Sequence, residues 1–387
     1  MRRNIFLFVL LLSIGLGLFA SSAALEKKKK KSELPYKKFK ALTEVWRTPA
    51  KSQGKTGTCW CFSTTSFIES EAHRLGRGDF ELSEMFTVYH AYLEKALRYV
   101  RLHGKSRFSQ GGLCHDVVYI MKKYGIVRDS DYSGLKPGET MHKHNEMAKV
   151  AAGMIEGVIK AGGKKELSSK WTDGKLLSNW FNALSGLLDS YLGKVPKMIE
   201  YKGREMTPKQ FSDEVLALPF GDYIEVTSYS YLPFYTKGEL LVPDNWMHYR
   251  NYYNVKLDDF VRIIDHALER GYSLVFDIHL TEADYKSLKG YAVVQADSEG
   301  VVIRQDMRDT MFEDWRTSDV HLVHAVGIAE DEEGKKFYMT KDSVTSDVAP
   351  YKSLEYFSEN YVRAKALSYM IHKDGLPNDI RKKLGIE

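Results

Sequence analysis

The order of the hydrophobic patterns along the chain constrains the fold most, because helical patterns come first and strand patterns come later. Ser83 is a predicted N-cap, and apolar residues recur after it at three- and four-residue steps up to Val100. Two further helices are predicted at 117–124 and 260–270, each followed by glycine. Short β-rich runs separated by turn residues occupy 272–280, 292–295, 323–329 and 337–341. The sequence therefore predicts an α+β fold.

The first 24 residues have the pattern of an export signal. Arg2 and Arg3 precede an uncharged apolar stretch at 5–20, and small residues at 20–24 offer a cleavage site. The stretch is shorter than the roughly 20 apolar residues of a membrane span, so a cleaved signal is favoured over an uncleaved anchor. We therefore expect an exported protein, periplasmic or secreted, after cleavage.

Two segments are predicted after the signal, and the second contains an insertion. Residues 25–33 carry a lysine run and are expected to form a solvated basic tail, with a dock for acidic surfaces as the alternative. Residues 34–387 have the composition of a folded domain. Within it, residues 138–220 are richer in Lys, Gly and Ser with weaker helical patterning, which indicates an insertion on a core.

Charge and cysteine content exclude several classes of protein. The 387 residues contain 56 basic and 51 acidic side chains, for a net charge of +5, with the excess at the N-terminus. A nucleic-acid partner is not predicted, because such proteins concentrate more basic charge on one domain. Three cysteines cannot form a disulfide framework. No cofactor is predicted.

A glycine-containing loop at 53–58 leads directly into a helical pattern that begins at Cys59. There the unpaired backbone N–H groups and the helix dipole favour the nucleophilic thiolate. Gln53 could place its side-chain amide beside the same point and, with the Cys59 backbone N–H, make an oxyanion hole. A lone cysteine is more often a small buried hydrophobe, so it is the spacing from Gln53 that indicates a nucleophile.

A thiolate nucleophile needs a base, and the predicted hairpin at 323–342 offers one. If Glu333 is the centre of a regular antiparallel hairpin, His324 faces Asp342 with both side chains on one face. Asp342 would then orient the imidazole of His324. The alternative is a solvent-exposed His–Asp pair. His321 is a competing base, but it lies on the opposite face of a regular strand, so only one of the two histidines is expected to serve.

A zinc site is an alternative for this region, because cysteine and histidine are common zinc ligands. The candidate ligands are Cys59, Cys61, Cys114 and His115. Residues at i and i+2 of a helix point in nearly opposite directions, so no metal site is predicted.

Eight segments of the chain resemble the catalytic blocks of papain-like cysteine peptidases, and more specifically those of the bleomycin hydrolase and aminopeptidase C branch. The large gap between Cys59 and His324 is also typical of that branch. The resemblance covers most of residues 34–372, and 138–220 contribute little to it. The matching segments are 53–63, 80–83, 110–112, 122–127, 251–255, 268–272, 324–327 and 341–343.

The resemblance implies a two-subdomain fold and a role for each candidate residue. Cys59 is the expected nucleophile, His324 the general base and then acid, Asp342 its orienting residue and Gln53 the oxyanion donor. Gly111 and Gly112 match the strand that binds a substrate backbone. The expected partners are peptide substrates and, by the family pattern, further copies of the chain in a hexameric ring.

The chain departs from the family pattern at two places near the site. Asp342-Ser343-Val344 stands where the family has Asn-Ser-Trp, so the tryptophan that shields the pair from water is lost. Thr56 replaces the first cysteine of the usual disulfide, so Cys61 and Cys114 are expected to be buried thiols, with a bridge between them as the lesser alternative.

The C-terminus also bears on the expected specificity. In the resembling enzymes the chain end lies in the cleft and favours removal of one residue at a time. We expect the segment 382–387 to return to the cleft and its carboxylate to hold the substrate α-amino group. The sequence thus favours an aminopeptidase. The alternatives are an endopeptidase with an open cleft and a catalytically silent homologue that binds peptides.

Overall fold

The computed structural model describes residues 37–386 except 165, 166, 168, 173, 174, 281–284, 287–289, 344–350 and 352. The predicted signal at 1–24, the basic tail at 25–33, Val344 and Glu387 lie outside the described residues. Residues from 39 onward form one compact unit. Across the described ranges, no helix has the length and apolar content that a membrane crossing requires.

Most of the long helices lie in the first half of the chain, as the sequence predicts. The eleven helices of the described residues are α1 Cys59–Arg74, α2 Glu84–Arg101, α3 Cys114–Tyr124, α4 Asn145–Gly163, α5 Asn179–Leu192, α6 Pro208–Gln210, α7 Leu257–Glu269, α8 Gln295–Glu299, α9 Gln305–Glu313, α10 Glu359–Lys365 and α11 Asn378–Leu384. A π-helical turn, Phe211–Leu216, follows α6, and a 3₁₀ turn, Lys373–Gly375, precedes α11.

Most strands join one large mixed sheet. The strands are β1 Phe39–Glu44, β2 Ser169–Thr172, β3 Lys175–Ser178, β4 Ile199–Tyr201, β5 Arg204–Met206, β6 Tyr223–Thr227, β7 Thr236–Gly238, β8 Tyr252–Asn254, β9 Leu274–Ile278, β10 Tyr285–Lys286, β11 Tyr291–Ala292, β12 His321–Asp331, β13 Lys336–Lys341, β14 Leu354–Ser358 and β15 Ala366–His372. The sheet order is β10-β11-β14-β13-β12-β9-β15-β6-β8-β7, with β1 also paired to β12, while β2-β3 and β4-β5 form separate hairpins. The α+β prediction is confirmed.

The sheet separates two hydrophobic clusters. Side chains of a strand alternate between its two faces, and here Val275 and Leu322 join the cluster that contains α1 and α2. Their chain neighbours Phe276 and Val323 join the cluster that contains α7. Helices α1 and α7 therefore cover opposite faces of the central strands.

The helix boundaries follow the local signals in the sequence. The Ser83 hydroxyl accepts a hydrogen bond from the Phe86 backbone N–H, which satisfies one of the free donors at the start of α2. Gly125 ends α3 with a positive φ of 84°, a conformation that favours glycine. Both predicted helices are confirmed.

The segment predicted as an insertion contains two long helices, α4 and α5. Met147, Ala151, Leu184 and Leu188 on these helices are fully buried in the same hydrophobic cluster as α1. The weak helical pattern of 138–220 therefore conceals helices that are well packed against the core.

A β-bulge between β12 and β13 sets the register near the predicted site. Ile328 pairs with Tyr338 and Gly327 with Met339, as a regular hairpin centred on residue 333 requires. The register then shifts between Ala325 and Gly327, so His324 pairs with Lys341 rather than Asp342. A one-residue shift moves every following side chain to the other face of the sheet.

Close packing beside the bulge requires a glycine at position 327. A Cβ atom there would lie 2.3 Å from the Thr43 carbonyl oxygen on β1 and 2.7 Å from Met339 Cε. Only a residue without a side chain allows β1 and β13 to flank β12 this closely.

We predict that Gly327→Ala lowers the free energy of unfolding by about 1 to 3 kcal/mol, because the new methyl group overpacks the sheet. Gly157→Ala on α4 is the matched control, since its Cβ would meet no atom within 4 Å. The control should leave stability unchanged or raise it by up to about 1 kcal/mol. Urea denaturation compares the two variants, and equal stabilities would show that the close approach at residue 327 is not constraining.

Candidate active site

Cys59 is the first residue of α1, where the sequence predicts it. The N-cap is Thr58, whose carbonyl oxygen accepts from the N–H groups of Cys61 and Phe62 at 2.9 and 3.2 Å. The side chain retains 9% of its surface exposed. The first N–H groups of a helix have no intrahelical acceptor, so the Cys59 thiol lies at the electropositive end of α1.

His321 is the histidine that the structure brings to Cys59. Its Nε2 lies 2.8 Å from Asp342 Oδ1, which leaves Nδ1 for the thiol. Burial alone would lower the pKa of His321, but charge and hydrogen-bond interactions with Asp342 and Cys59 raise it well above the ordinary value. The arrangement thus stabilises the imidazolium form of His321.

The predicted pairing of His324 with Asp342 is wrong. The register shift pairs His324 with Lys341 and leaves Asp342 just past the end of β13, where its carboxylate reaches His321. The rejection of His321 was based on a regular register, and that register fails at the bulge.

His324 instead lies in a buried polar cluster behind the site. Its Nδ1 lies 2.8 Å from the Ser66 hydroxyl on α1, and Lys341 Nζ donates to the same hydroxyl at 2.8 Å. Burial, followed by the positive charges of Lys341 and Arg47, lowers the pKa of His324 well below its ordinary value. A neutral, fully buried imidazole with no contact to Cys59 connects α1 to β13 and has no position from which to act as the base.

Gln53 is held beside the end of β13 by Ser343. The Ser343 hydroxyl donates to Gln53 Oε1 at 2.6 Å, and the Gln53 backbone N–H donates to the Ser343 carbonyl oxygen at 3.0 Å. Gln53 Nε2 donates to the Thr56 carbonyl oxygen at 2.7 Å, which leaves one amide hydrogen for another acceptor. The sequence identified Gln53 but assigned Ser343 no positioning role.

The glycine segment 110–112 lies against α1 and the loop that precedes it. Gln110 connects the two, since its side chain accepts from the Gly57 N–H at 2.9 Å and its carbonyl oxygen accepts from Trp60 Nε1 at 2.9 Å. A Cβ on Gly112 would lie 2.9 Å from the Trp60 ring. Within the described residues the N–H and C=O of Gly112 have no hydrogen-bond partner.

The other two cysteines differ from Cys59 in their surroundings. All three cysteines are free thiols, so the lesser alternative of a Cys61–Cys114 bridge is wrong. Burial raises the pKa of both the Cys61 and the Cys114 thiol well above the ordinary value, which makes them poor nucleophiles. No group of three or more His, Cys, Asp or Glu side chains suited to a metal ion occurs in the described part of the chain.

The expectation that the chain end returns to the site is wrong as far as residue 386. Leu384 and Ile386 pack in the cluster of α7, and Lys383 pairs with Asp259 on α7 at 3.0 Å. Helix α7 covers the sheet face opposite α1, so α11 is separated from Cys59 by the sheet.

Solved structures resemble this chain to different degrees. PepW from Lactobacillus rhamnosis HN001, of the bleomycin hydrolase and aminopeptidase C family, matches with a TM-score of 0.68 and 18% identity over 93% of this chain and 86% of that chain. The ragweed pollen cysteine protease Amb a 11 matches with a TM-score of 0.39 and 15% identity, covering 86% of this chain and 66% of that chain. The clostridial cysteine protease Cwp84 matches with a TM-score of 0.37 and 13% identity, covering 84% and 54%.

The last two likenesses are too distant to carry an argument, and 18% identity to PepW speaks only for the fold. No protein-family model and no curated protein matches the sequence. The chain has the papain-like cysteine peptidase fold.

Proposed function

We propose that this protein is a cysteine peptidase in which Cys59 is the nucleophile, His321 the general base and acid, and Asp342 the orienting residue. The observation that carries the proposal is the position of one imidazole between the Asp342 carboxylate, at 2.8 Å, and the thiol at the start of α1. A nucleophile, a base within reach and a third group that orients the base are the requirements for thiol acylation.

Each step of the reaction has a group to perform it. The Cys59 thiolate attacks the carbonyl carbon of the scissile peptide, and the new C–S bond turns the carbonyl oxygen into an oxyanion. The His321 imidazolium then gives its Nδ1 proton to the leaving amine as the C–N bond breaks. Water, deprotonated by His321, attacks the thioester and releases the acid and the thiolate.

The oxyanion has two candidate donors beside Cys59. These are the backbone N–H of Cys59 and the remaining N–H of the Gln53 amide, whose orientation is fixed by Ser343 and Thr56. Preorganised donors of this kind stabilise the charge that develops in the transition state. The unpaired N–H and C=O of Gly112 are positioned to bind the substrate main chain, with Gly111 preceding it.

The finer proposal is an aminopeptidase. The structural likeness to PepW and the segments shared with the bleomycin hydrolase branch support it. An endopeptidase and a catalytically silent peptide-binding homologue remain the rival functions. Export after removal of residues 1–24 and assembly into a hexamer are predictions from the sequence pattern.

We predict that His321→Gln lowers kcat/KM for peptide hydrolysis by about 1,000-fold or more, because the general base is lost. His324→Gln is the matched control, since it changes a histidine on the same strand that contacts Ser66 rather than Cys59. The control should stay within about 10-fold of the parent enzyme when both variants are shown by circular dichroism to be folded. The reverse order of activities would overturn the assignment of the base.

We predict that Asp342→Asn moves the alkaline limb of the kcat/KM profile to lower pH by about one unit. The carboxylate raises the pKa of His321, so its removal lets the imidazolium lose its proton at lower pH. Glu330→Gln, at the far end of β12 and paired with Lys40, is the control that should leave the profile unchanged. An unmoved limb in Asp342→Asn would show that this carboxylate does not govern the active protonation state.

Substrates with free and blocked N-termini separate the rival functions. For an aminopeptidase we expect alanyl-aminomethylcoumarin to be hydrolysed with at least about 10-fold higher kcat/KM than its N-acetyl derivative, because recognition of a charged α-amino group adds binding energy. Preference for the blocked substrate would indicate an endopeptidase. Hydrolysis of neither by the folded protein would indicate the silent homologue.

A further inference from the structure

The segment 240–246, which we call the wall, connects Gly111 with the residues just before His321. A Cβ on Gly111 would lie only 1.9 Å from Asp244 Oδ2, so the Asp244 side chain packs directly against the Gly111 backbone. On the other side, the Asp244 backbone N–H donates to Asp319 Oδ2 at 2.9 Å. Asp319 precedes His321 by two residues, so the wall connects Gly111 with the residues just before β12.

The wall is anchored in the core. Trp246 is buried, and its Nε1 donates to Asp116 Oδ2 on α3 at 2.7 Å. Leu240 and Val242 are buried in the cluster that contains α1. The Asn245 amide donates to the carbonyl oxygens of Leu240 and Tyr249, both at 3.1 Å. These contacts hold the wall in place, so it does not readily move to make room for a longer peptide substrate.

A second carboxyl group, that of Asp277, is buried next to the proposed site. Asp277 pairs across the sheet with Leu322, the residue after His321, and retains 1% of its surface exposed. Neither of its carboxyl oxygens has a hydrogen-bond partner in the described part of the chain. Burying a carboxyl group without hydrogen-bond partners costs free energy of folding. A ligand that donates hydrogen bonds to Asp277 would offset this cost.

Electrostatics place Asp277 and Asp319 in one environment with the nucleophile. Burial, followed by the charges of Asp319, Asp244 and Cys59, raises the pKa of Asp277 well above its ordinary value. Burial also raises the pKa of Asp319, to about 6. A cation brought between these groups would favour their ionised forms.

The cations near the wall are already engaged. Arg107 pairs with the Asp244 carboxylate at 2.7 Å, and Lys95 Nζ donates to the Gly111 carbonyl oxygen. Among the described residues, Asp277 and Asp319 have no ion-pair partner. Asp277 and Asp319 are therefore acidic side chains near Cys59 that lack an ion-pair partner within the described ranges.

We infer that Asp319 and Asp277 bind the α-ammonium group of a peptide whose first residue lies just before the scissile bond, and that Asp244 excludes longer N-terminal extensions. The inference rests on the proposed peptidase site and deepens it. An ammonium group has three N–H donors, which suits the Asp277 carboxyl group, whose oxygens have no donor among the described residues, and the Asp319 carboxyl group, which accepts one hydrogen bond from the Asp244 backbone. This internal wall takes the place of the chain end as the feature that selects a free N-terminus.

Binding to a protein that cannot turn over separates this inference from the proposed reaction. Isothermal titration calorimetry with the Cys59→Ala variant compares Ala-Ala-amide with N-acetyl-Ala-Ala-amide. We expect the free dipeptide to bind at least about 10-fold more tightly. On the same background, Asp319→Asn and Asp277→Asn should each weaken the free dipeptide by about 10- to 100-fold and leave the acetylated dipeptide unchanged.

Asp314→Asn is the matched control, since this aspartate precedes the same strand but pairs with Arg316 at the surface. It should not alter binding of either dipeptide. Equal affinity for free and acetylated peptides, or equal weakening of both by Asp319→Asn, would overturn the inference. It would also be overturned if N-acetyl-Lys-Ala-amide alone depended on Asp319, because the site would then bind a side chain. Hydrolysis by the parent protein, measured separately, decides the proposed reaction.

Discussion

The contact between His321 and Asp342 depends on the bulge that shifts β12 against β13. Without it, Asp342 would face His324, and the histidine beside the start of α1 would have no carboxylate partner. Gly327 allows the neighbouring strands to close around the bulge, because any side chain there would meet Thr43 and Met339. A single irregularity of the sheet thus joins the nucleophile helix, the histidine and the carboxylate in one site.

The two histidines of β12 have opposite chemistry, although both reach residues of α1. His321 lies between Asp342 and Cys59, and these negative partners favour the imidazolium. Burial, followed by the positive charges of Lys341 and Arg47, lowers the pKa of His324 and favours its neutral ring, which lies beside Ser66. Only the first is both charged and adjacent to the thiol, so the environment rather than the residue type separates a reactive histidine from a structural one.

The sequence predicted the fold class, the main helix boundaries and the positions of Cys59 and Gln53, because these depend on local patterns such as the Ser83 cap and the loop before α1. It failed where the outcome depends on pairing between distant strands. No local pattern marks the bulge between Ala325 and Gly327. For the same reason the sequence assigned no role to Asp277. It lies within an apolar strand pattern, and only the pairing of β9 with β12 places it beside Leu322.

Nitrogen-15 NMR of the histidine side chains tests the central claim most directly, with the His321 signals identified by their loss in His321→Gln. The account predicts that His321 stays doubly protonated at pH 7.5, since Asp342 and Cys59 raise its pKa well above the ordinary value of 6.5, while His324 stays neutral. A neutral His321 ring at that pH, with a titration midpoint at or below 6.5, would contradict the account.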